Sequence, residues 1–313
     1  MNTLFLGVDG GQSSTTALVG DDTGRVLGMG VGGPCNHVGA AEGRERLARA
    51  VRESLEKACV QAGLDPHDVR FEAACFGMSG GPADKQAILA KVIPARILVV
   101  THDALIALVG ATGGEPGVIT IAGTGSIAFG RNAAGETARA GGWGYLFGDE
   151  GGGFDIVRQA LRAALRFEEG WGPPTALHAM LLEATGARDA NDALHIFYTL
   201  DWPRPRVAAL ATRVDEAALQ GDTVARDILH SAAQNLAALC TSVRSRLWKP
   251  GETARIASVG GVFHSRMLSE RFRLLLELEE GNRCVPALHG PAAGALLEAY
   301  RAAGLSPILS GAN

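Results

Sequence analysis

Two segments of this chain share one order of features: an apolar run, a turn of glycines and hydroxyl residues, and a second apolar run. The first is LFLGVDGGQSSTTALV at residues 4–19, and the second is GVITIAGTGSIAFG at residues 117–130. Small residues in such turns let backbone N–H groups converge on an anionic phosphate without obstruction by side chains. One such turn is ordinary hairpin chemistry, but two favour an internal repeat with two phosphate-binding turns. An ATP-binding protein is therefore the leading hypothesis.

The second turn also satisfies the dinucleotide-binding pattern G-x-G-x-x-A, through Gly123, Gly125 and Ala128. That pattern requires a helix to begin at the turn, whereas residues 129–135 are typical of a strand followed by a bend. We therefore discount a dehydrogenase. The pattern G-x-x-x-x-G-K-[ST] does not occur in the sequence, so any ATP site must be of another kind.

Composition limits the classes of protein to consider. The 313 residues suffice for two domains with substantial cores, and 47% hydrophobic with 20% charged residues is ordinary for a globular protein. A formal net charge of −4 gives no electrostatic footprint for nucleic acid or an anionic membrane. The five cysteines have no C-x-x-C spacing, and their odd number argues against a disulfide framework. Because no apolar stretch reaches membrane-spanning length and a strand begins too early for a signal peptide, we expect a cytoplasmic protein.

Strand and helix patterns alternate in the first part of the chain and helices dominate after residue 150, as in an α/β protein. Besides the strands around the two turns, strands are predicted at 71–76, 96–100 and 256–259. Helices are predicted at 41–62, 83–91, 104–109, 153–168, 206–219, 223–247, 263–278 and 292–303. Glycines and a proline in 111–117 predict a crossing between domains. We expect domains at 1–113 and 114–313, with the last helix packing on the first domain.

This layout and its motifs resemble the sugar kinase, actin and Hsp70 superfamily, and more narrowly the N-acetylglucosamine kinase and BadF/BadG ATPase group. The most specific match is GGWG-x-x-x-GDEG at residues 141–151. PCNHVG at 34–39, THD at 101–103 and VGGVF at 259–263 resemble the sugar-binding, general-base and adenosine elements of that group. The resemblance implies an α/β fold of two duplicated ribonuclease H-like (actin-like ATPase) domains with an interdomain cleft. It also implies a kinase that phosphorylates the 6-hydroxyl of N-acetylglucosamine or glucosamine, and a homodimer.

Phosphoryl transfer to a hydroxyl needs a metal-bound triphosphate, hydrogen-bond donors around the moving phosphate, and a carboxylate that deprotonates the alcohol. Asp9, at a strand end beside glycines, suits a Mg²⁺ ligand, although a carboxylate there can also close a turn. Asp103 follows a strand and opens a helix, so it could be an N-cap, whereas the resemblance assigns the general base to this position. The expected ATP-binding residues are Asp9, Gly10, Gly11, Ser13, Thr124, Gly125, Gly260, Gly261 and Ser265. The sugar-binding residues implied mainly by the resemblance are Asn36, Ser79, Gly80, Asp103, Ser126, Gly142, Trp143, Gly144 and Asp149.

One position departs from the related kinases. Ser14 stands where their first phosphate loop usually carries a basic residue. Either nucleotide binding is weaker for lack of that charge, or another cation replaces it.

Two other functions are considered. GMSGG at 77–81 matches the serine hydrolase pattern G-x-S-x-G, with His264 or His289 as a partner, but this reading leaves both phosphate turns unexplained. An ATP-driven activator of a partner enzyme would share the fold and would hold a [4Fe–4S] cluster in a dimer, for which the scattered cysteines offer no recognisable pattern. For a kinase, N-acetylglucosamine, glucosamine and N-acetylmuramic acid all stay open as the sugar.

Overall fold

The computed structural model of the chain describes residues 3–11, 13–35, 41–79, 85–199 and 201–311. The chain forms two compact units, of which the first contains residues 1–117 and 286–313 and the second contains residues 118–285. The first unit thus extends to residue 117 rather than 113, and the segment from residue 286 belongs to it rather than to the second unit. The reason is that the C-terminal helix, Pro291–Ala302, packs on the first unit's sheet.

The first unit is built on a five-stranded sheet with the order β3-β2-β1-β4-β5. The strands are β1 (Leu4–Gly10), β2 (Thr15–Asp21), β3 (Val26–Gly32), β4 (Phe71–Met78) and β5 (Ala95–His102). The helices before the C-terminal one are α1 (Ala41–Gln61), α2 (Gln86–Val92) and α3 (Asp103–Thr112). Strands β1, β4 and β5 run parallel, with Gly10 beside Met78 and Met78 beside His102. Their carboxyl ends therefore lie at one edge of the sheet.

The second unit has a sheet of the same kind, with the order β10-β9-β6-β7-β8. Its strands are β6 (Gly117–Ala122), β7 (Ser126–Arg131), β8 (Thr137–Gly141), β9 (Ala254–Val259) and β10 (Asn282–Cys284). Its helices are α4 (Gly153–Glu168), α5 (Leu177–Thr185), α6 (Ala190–Phe197), α7 (Arg204–Ala209), α8 (Ala211–Leu219), α9 (Thr223–Leu247) and α10 (Arg266–Glu277). Counted along each unit, both sheets follow the order 3-2-1-4-5 or its reverse, so the predicted duplicated α/β fold is confirmed.

Apolar residues cover both faces of the first unit's sheet because strand neighbours point to opposite sides. Leu6 packs in the cluster beneath α1, whereas Phe5 packs in the cluster beneath the C-terminal helix. On the latter face the ring of Tyr300 lies 4.5 Å from that of Phe5, and its hydroxyl donates to the carbonyl of Asp21 at 2.7 Å. Within the described residues, every helix is too short or too polar to cross a bilayer.

The C-terminal helix approaches α3 so closely that glycine is required at the contact. A Cβ built on Gly294 would overlap the carbonyl oxygen of Ile106, and one on Gly110 would overlap that of Gly290. We expect Gly294→Ala to destabilise the protein by about 2 kcal/mol or more, because overpacking against backbone exceeds the roughly 1 kcal/mol gained in helix propensity. Urea unfolding measures the change. Gly33→Ala, where a Cβ meets no atom within 4 Å, is the control, and equal stability of the two variants would contradict the expectation.

Candidate functional site

Two carboxylates of the first unit lie at the edge of the sheet where its parallel strands end. Asp9 is near the end of β1 and Asp103 directly follows β5, with β4 between these strands. Burial, and after it the negative charge of Asp103, raise the pKa of Asp9 to about 6. The two carboxylates therefore repel each other, and a bound cation would relieve that repulsion. Ligands commonly bind outside the carboxyl ends of strands in open α/β sheets.

The carboxylate of Asp103 is oriented by two hydrogen bonds. The hydroxyl of Ser79 donates to its Oδ2 at 2.8 Å, and the backbone N–H of Ala104 donates to its Oδ1 at 2.8 Å. A residue that caps the N-terminus of a helix accepts, through its side chain, the N–H of a residue two or three positions further on. In α3 the capping position is that of His102, the extended residue before the helix, and Asp103 is the first helical residue. Capping does not account for these bonds. The bond from Ser79 was not foreseen, because it depends on the register that places the end of β4 beside the end of β5.

The serine hydrolase interpretation needs a histidine next to Ser79. Among the described residues no hydrogen bond joins Ser79 to a histidine, and its hydroxyl is used by Asp103. The backbone N–H of His289 donates to Gly110, near the end of α3, which is about 10 Å along that helix from Asp103. The described hydrogen bond of the Ser79 hydroxyl is thus to a carboxylate and not to a histidine.

The first glycine turn is closed by backbone hydrogen bonds and exposes its serines. The N–H of Gly11 donates to Ser14 at 3.0 Å, and a Cβ on Gly10 would overlap the sulfur of Met78. A side chain at position 10 would therefore have to displace the end of the Met78 side chain beneath the turn. The side chains of Ser13 and Ser14 are exposed, so both hydroxyls are accessible to a ligand.

A buried lysine lies behind this edge. Lys85 is 4% exposed and donates from Nζ to the carbonyl of Ser79 at 3.0 Å. Its charge also lowers the pKa of Cys35, although burial raises that pKa more. Sequence reasoning missed Lys85, since nothing in its neighbourhood distinguishes it from a surface lysine. The first unit therefore has a cation near the edge although its glycine turn carries Ser14. Asn36 and Gly80, two of the predicted sugar-binding residues, lie outside the described residues.

In the second unit, the glycine turn at residues 123–125 meets the beginning of α4. The N–H of Gly153 donates to the carbonyl of Gly123 at 2.8 Å, and that of Phe154 donates to Thr124 at 3.0 Å. These two bonds fix the turn to the helix N-terminus and occupy two of its N–H groups, while the helix dipole still favours negative charge beside the turn.

Asp149 of the GDEG segment lies against the same turn. Its Oδ1 accepts the N–H of Ser126 at 3.4 Å, and a Cβ on Gly125 would overlap its carboxylate. Among the described residues other than glycine, only Asp149 has a positive φ, of 64°. Strained backbone of this kind is concentrated at functional sites. Three of the predicted residues, Gly125, Ser126 and Asp149, are thus brought together, and the hydroxyl of Ser126 donates to Glu150 at 2.7 Å.

The segment before Asp149 exposes several large apolar side chains. Trp143 is 64% exposed, and Leu146 and Phe147 are 71% and 83% exposed. Gly142 and Gly144, both with positive φ, flank Trp143, and the guanidinium of Arg139 lies 4.6 Å from its ring centroid. An accessible indole face of this kind can pack on the apolar face of a sugar.

An ion pair on α4 forms hydrogen bonds with both ends of the segment 145–151. Arg158 donates to Oδ1 of Asp155 at 2.6 Å and to the carbonyl of Tyr145 at 3.2 Å. Asp155 is buried and accepts the N–H of Gly151 at 3.1 Å through Oδ2. We call these two side chains the loop clamp. In the sequence, only the D-x-x-R spacing points to this pair, and that spacing is too common on helices to predict contacts with a loop.

The predicted adenosine segment begins with a glycine that packing requires. Gly260 has a φ of 110°, and a Cβ there would overlap the carbonyl of Ala122. Gly261, by contrast, faces open space at the start of a short 3₁₀ helix. Ser265 is buried at 8% exposure, donates to Asp215 and accepts the N–H of Leu268 as the N-cap of α10. The Ser265 hydroxyl is therefore occupied by hydrogen bonds within the protein. Of the three residues, Gly261 is the one that a ligand can approach.

The cysteines are poorly suited to hold an iron–sulfur cluster. Cys35, Cys59, Cys75 and Cys240 are buried, and Cys284 is partly buried. Burial raises the pKa of Cys59 and of Cys284 to about 11 in each case. A cluster shared between two chains needs thiols at an accessible surface, and four of the five cysteines are buried.

Comparison with known proteins gives consistent matches. A model of the BadF/BadG/BcrA/BcrD ATPase family matches residues 6–299. An N-acetylmuramic acid/N-acetylglucosamine kinase from Clostridium acetobutylicum is 30% identical over 279 residues, covering 87% of this chain and 90% of that protein. An N-acetyl-D-glucosamine kinase from Dictyostelium discoideum is 31% identical over 268 residues, covering 78% and 80%. A solved structure from Chromobacterium violaceum, described as a candidate N-acetylglucosamine kinase, has a TM-score of 0.76 and 27% identity, covering 95% of this chain and 98% of that one.

Proposed function

We propose, from the premise that this chain belongs to the BadF/BadG/BcrA/BcrD ATPase family, that it is an ATP-dependent kinase of amino sugars. It transfers the γ-phosphoryl group of ATP to the 6-hydroxyl of N-acetylglucosamine or glucosamine. The observation that carries this proposal is the Asp103 carboxylate, which Ser79 orients at the carboxyl edge of the first sheet. The sugar class is supported by relatives that are named kinases of N-acetylmuramic acid, N-acetylglucosamine and glucosamine.

Asp103 acts as the general base in this mechanism. Its two oxygens accept from Ser79 and Ala104, and each retains a second lone pair for an incoming hydroxyl. The proton of the sugar 6-hydroxyl passes to Asp103 as the oxygen attacks the γ-phosphorus, and ADP leaves with the electrons of the broken P–O bond. Ser79 is a positioning residue, because it acts through the carboxylate.

The phosphates of ATP are bound by the glycine turns. Ser13 donates from the first turn, beside Gly10 and Gly11, while Thr124 and Gly125 donate from the second turn at the start of α4. Adenine is approached by the backbone of Gly260 and Gly261, with Ser265 fixing the helix behind them.

Asp9 is the ligand proposed for Mg²⁺, directly or through water. Carboxylate oxygens are ligands that suit this ion. Because the pKa of Asp9 is raised to about 6, its ionised form is unfavourable there, and a positive charge nearby would stabilise it. When bound, Mg²⁺ supplies charge neutralisation at the β- and γ-phosphate oxygens.

The sugar is bound by the Ser126–Asp149 group and by Trp143 between Gly142 and Gly144. Asp149 accepts hydrogen bonds from sugar hydroxyls, and the indole packs on the ring or on the acetyl group. Asn36, Ser79 and Gly80 complete the set that the family resemblance suggests. A cytoplasmic location and a homodimer belong to the same proposal, and analytical ultracentrifugation tests the latter.

The direct test is release of ADP by the purified protein with Mg²⁺ and ATP. The sugars are N-acetylglucosamine, glucosamine, N-acetylmuramic acid, N-acetylmannosamine and glucose, with a no-sugar control. We expect stimulation by at least one amino sugar and a 6-phosphate product by mass spectrometry and NMR. ADP release that no sugar stimulates would overturn the kinase and would return attention to an ATP-driven activator.

Loosening the loop clamp should weaken sugar binding selectively. The substitution Asp155→Asn removes the negative charge that pairs with Arg158. The N–H of Gly151 can then donate only to a neutral amide oxygen. We expect the KM for the sugar to rise about tenfold, since a lost charge-assisted hydrogen bond costs about 1.5 kcal/mol, with the KM for ATP changed less than twofold. Steady-state kinetics checks this, and Asp227→Asn, at an exposed position on α9, is the control. Equal increases in both KM values would contradict it.

A further inference from the structure

The second unit contains an apolar cavity that the proposed kinase reaction does not use. It lies among α4, α5, α6 and α7 beside residues 145–146, and its volume is about 490 Å³. Leucines form much of its wall: Leu146, Leu161, Leu165, Leu181, Leu182 and Leu194. Protein interiors rarely contain voids much larger than a water molecule. This volume falls instead in the range of pockets that bind small organic ligands.

The charged side chains that line this cavity are of one sign. Arg158 and Arg204 contribute guanidinium groups, and none of the lining residues is an aspartate or glutamate. Arg158 pairs with Asp155 and His178 with Glu168. No described carboxylate forms a salt bridge with Arg204, whose guanidinium lies 4.6 Å from the ring centroid of Tyr145.

The two guanidinium groups differ in accessibility. Arg204 is exposed, whereas the Nε of Arg158 is shielded from any solvent-sized group, including one in the cavity. Arg158 donates to the carbonyl of Tyr145 while Arg204 stacks on its ring, so both guanidinium groups flank one residue of the cavity wall.

We propose that this cavity binds a medium-chain carboxylate. The alkyl chain packs against the leucines, where burial of apolar surface is favourable. The carboxylate binds beside Tyr145, where it accepts from the guanidinium of Arg204. Charge-assisted hydrogen bonds of this kind are stronger than neutral ones, so the headgroup, and not the chain alone, determines affinity.

The test uses the full chain without ATP or sugar, so that its result is independent of the proposed kinase activity. Decanoate, below its micelle concentration, is titrated into the protein by isothermal calorimetry, with decanol and decylammonium as probes of the same chain length. We expect one decanoate per chain, an increase in Tm with decanoate concentration, and affinities at least about tenfold weaker for the two other probes. Absence of decanoate binding, or equal binding of decanol, would overturn the proposal.

Two arginines of α7 provide matched variants. Arg204 lines the cavity, whereas Arg206 stacks on Trp202 at 4.2 Å and does not line it. Both are exposed, so neither substitution threatens the core. Arg204→Gln is expected to weaken decanoate binding about tenfold and Arg206→Gln less than twofold. Equal weakening by the two variants would show general attraction to surface charge and would overturn the assignment.

Discussion

Replacing Asp103 by asparagine is expected to lower kcat for sugar phosphorylation by about 10²–10⁴-fold, the usual contribution of a general base. The amide can still accept the N–H of Ala104 through Oδ1, as the carboxylate does at 2.8 Å. The fold and most of the sugar affinity should therefore survive. Single-turnover kinetics and a sugar titration by calorimetry separate the two effects. Turnover near that of the original protein would exclude Asp103 as the base.

Ser79→Ala is the matched comparison for that variant. It removes the hydroxyl that donates to Oδ2 of Asp103 but leaves the carboxylate itself. A positioning role predicts a loss of kcat of roughly tenfold, clearly smaller than that of Asp103→Asn. A loss as large as that of Asp103→Asn would mean that Ser79 itself takes part in the chemistry.

Replacing Asp9 by asparagine is expected to abolish most activity while stabilising the protein at neutral pH. The pKa of Asp9 rises from its ordinary value of 3.8 to about 6 in the folded protein, so the folded state binds this proton more tightly than the unfolded state. Protonation of Asp9 therefore stabilises the folded state. This contribution to the free energy of unfolding is fully present below pH 4 and is lost as the pH rises through 6. Above that, the ionised carboxylate costs the folded state at most about 3 kcal/mol, a cost that asparagine does not have.

Two measurements check the Asp9 prediction. At pH 7.5 without metal, urea unfolding should give Asp9→Asn a larger free energy of unfolding than the original protein, and the difference should shrink towards pH 4.5. In the kinase assay at pH 7.5, the variant should lose at least about 100-fold in kcat/KM for Mg²⁺·ATP, in keeping with the loss of a metal ligand. A variant less stable at pH 7.5 than at pH 4.5, relative to the original protein, would contradict the sign of the pKa shift. Unchanged activity would remove Asp9 from the metal site.

Long, strongly patterned elements were predictable from the sequence. The helices at 153–168 and 223–247 have the predicted bounds, and Asp222 caps the latter by accepting the N–H of Ala225. The predicted helix at 206–219 is instead two helices that meet at Leu210. Strands β8 and β10 were missed because the apolar positions of TARAG carry only alanines and NRC is too short to show an alternation, and their pairing with β7 and β9 defines them. Helices α5 and α6 are too short to give a clear periodicity.

The candidate site was predictable where a residue's role follows from its own strand. Asp9 and Asp103 follow apolar runs, so their meeting at one sheet edge could be inferred from topology. Contacts between distant segments could not be inferred. The bond between Ser79 and Asp103 depends on strand register, and the loop clamp depends on how α4 packs beside residues 145–151. A role of Ser265 at a helix start follows from the helical pattern after it, but its bond to Asp215 depends on tertiary packing.

The packing of the C-terminal helix on the first unit determines the order in which the chain can fold during synthesis. The second unit is one continuous segment, residues 118–285, whereas the first is completed only by residues 286–313. Until those residues leave the ribosome, Phe5 lacks its contact with the ring of Tyr300, and the carbonyl of Asp21 lacks the hydrogen bond from the Tyr300 hydroxyl. Synthesis usually lets the N-terminal domain fold first. Here the second unit can form its core first, while the strands of the first unit keep an exposed apolar face until the C-terminal helix has been synthesised.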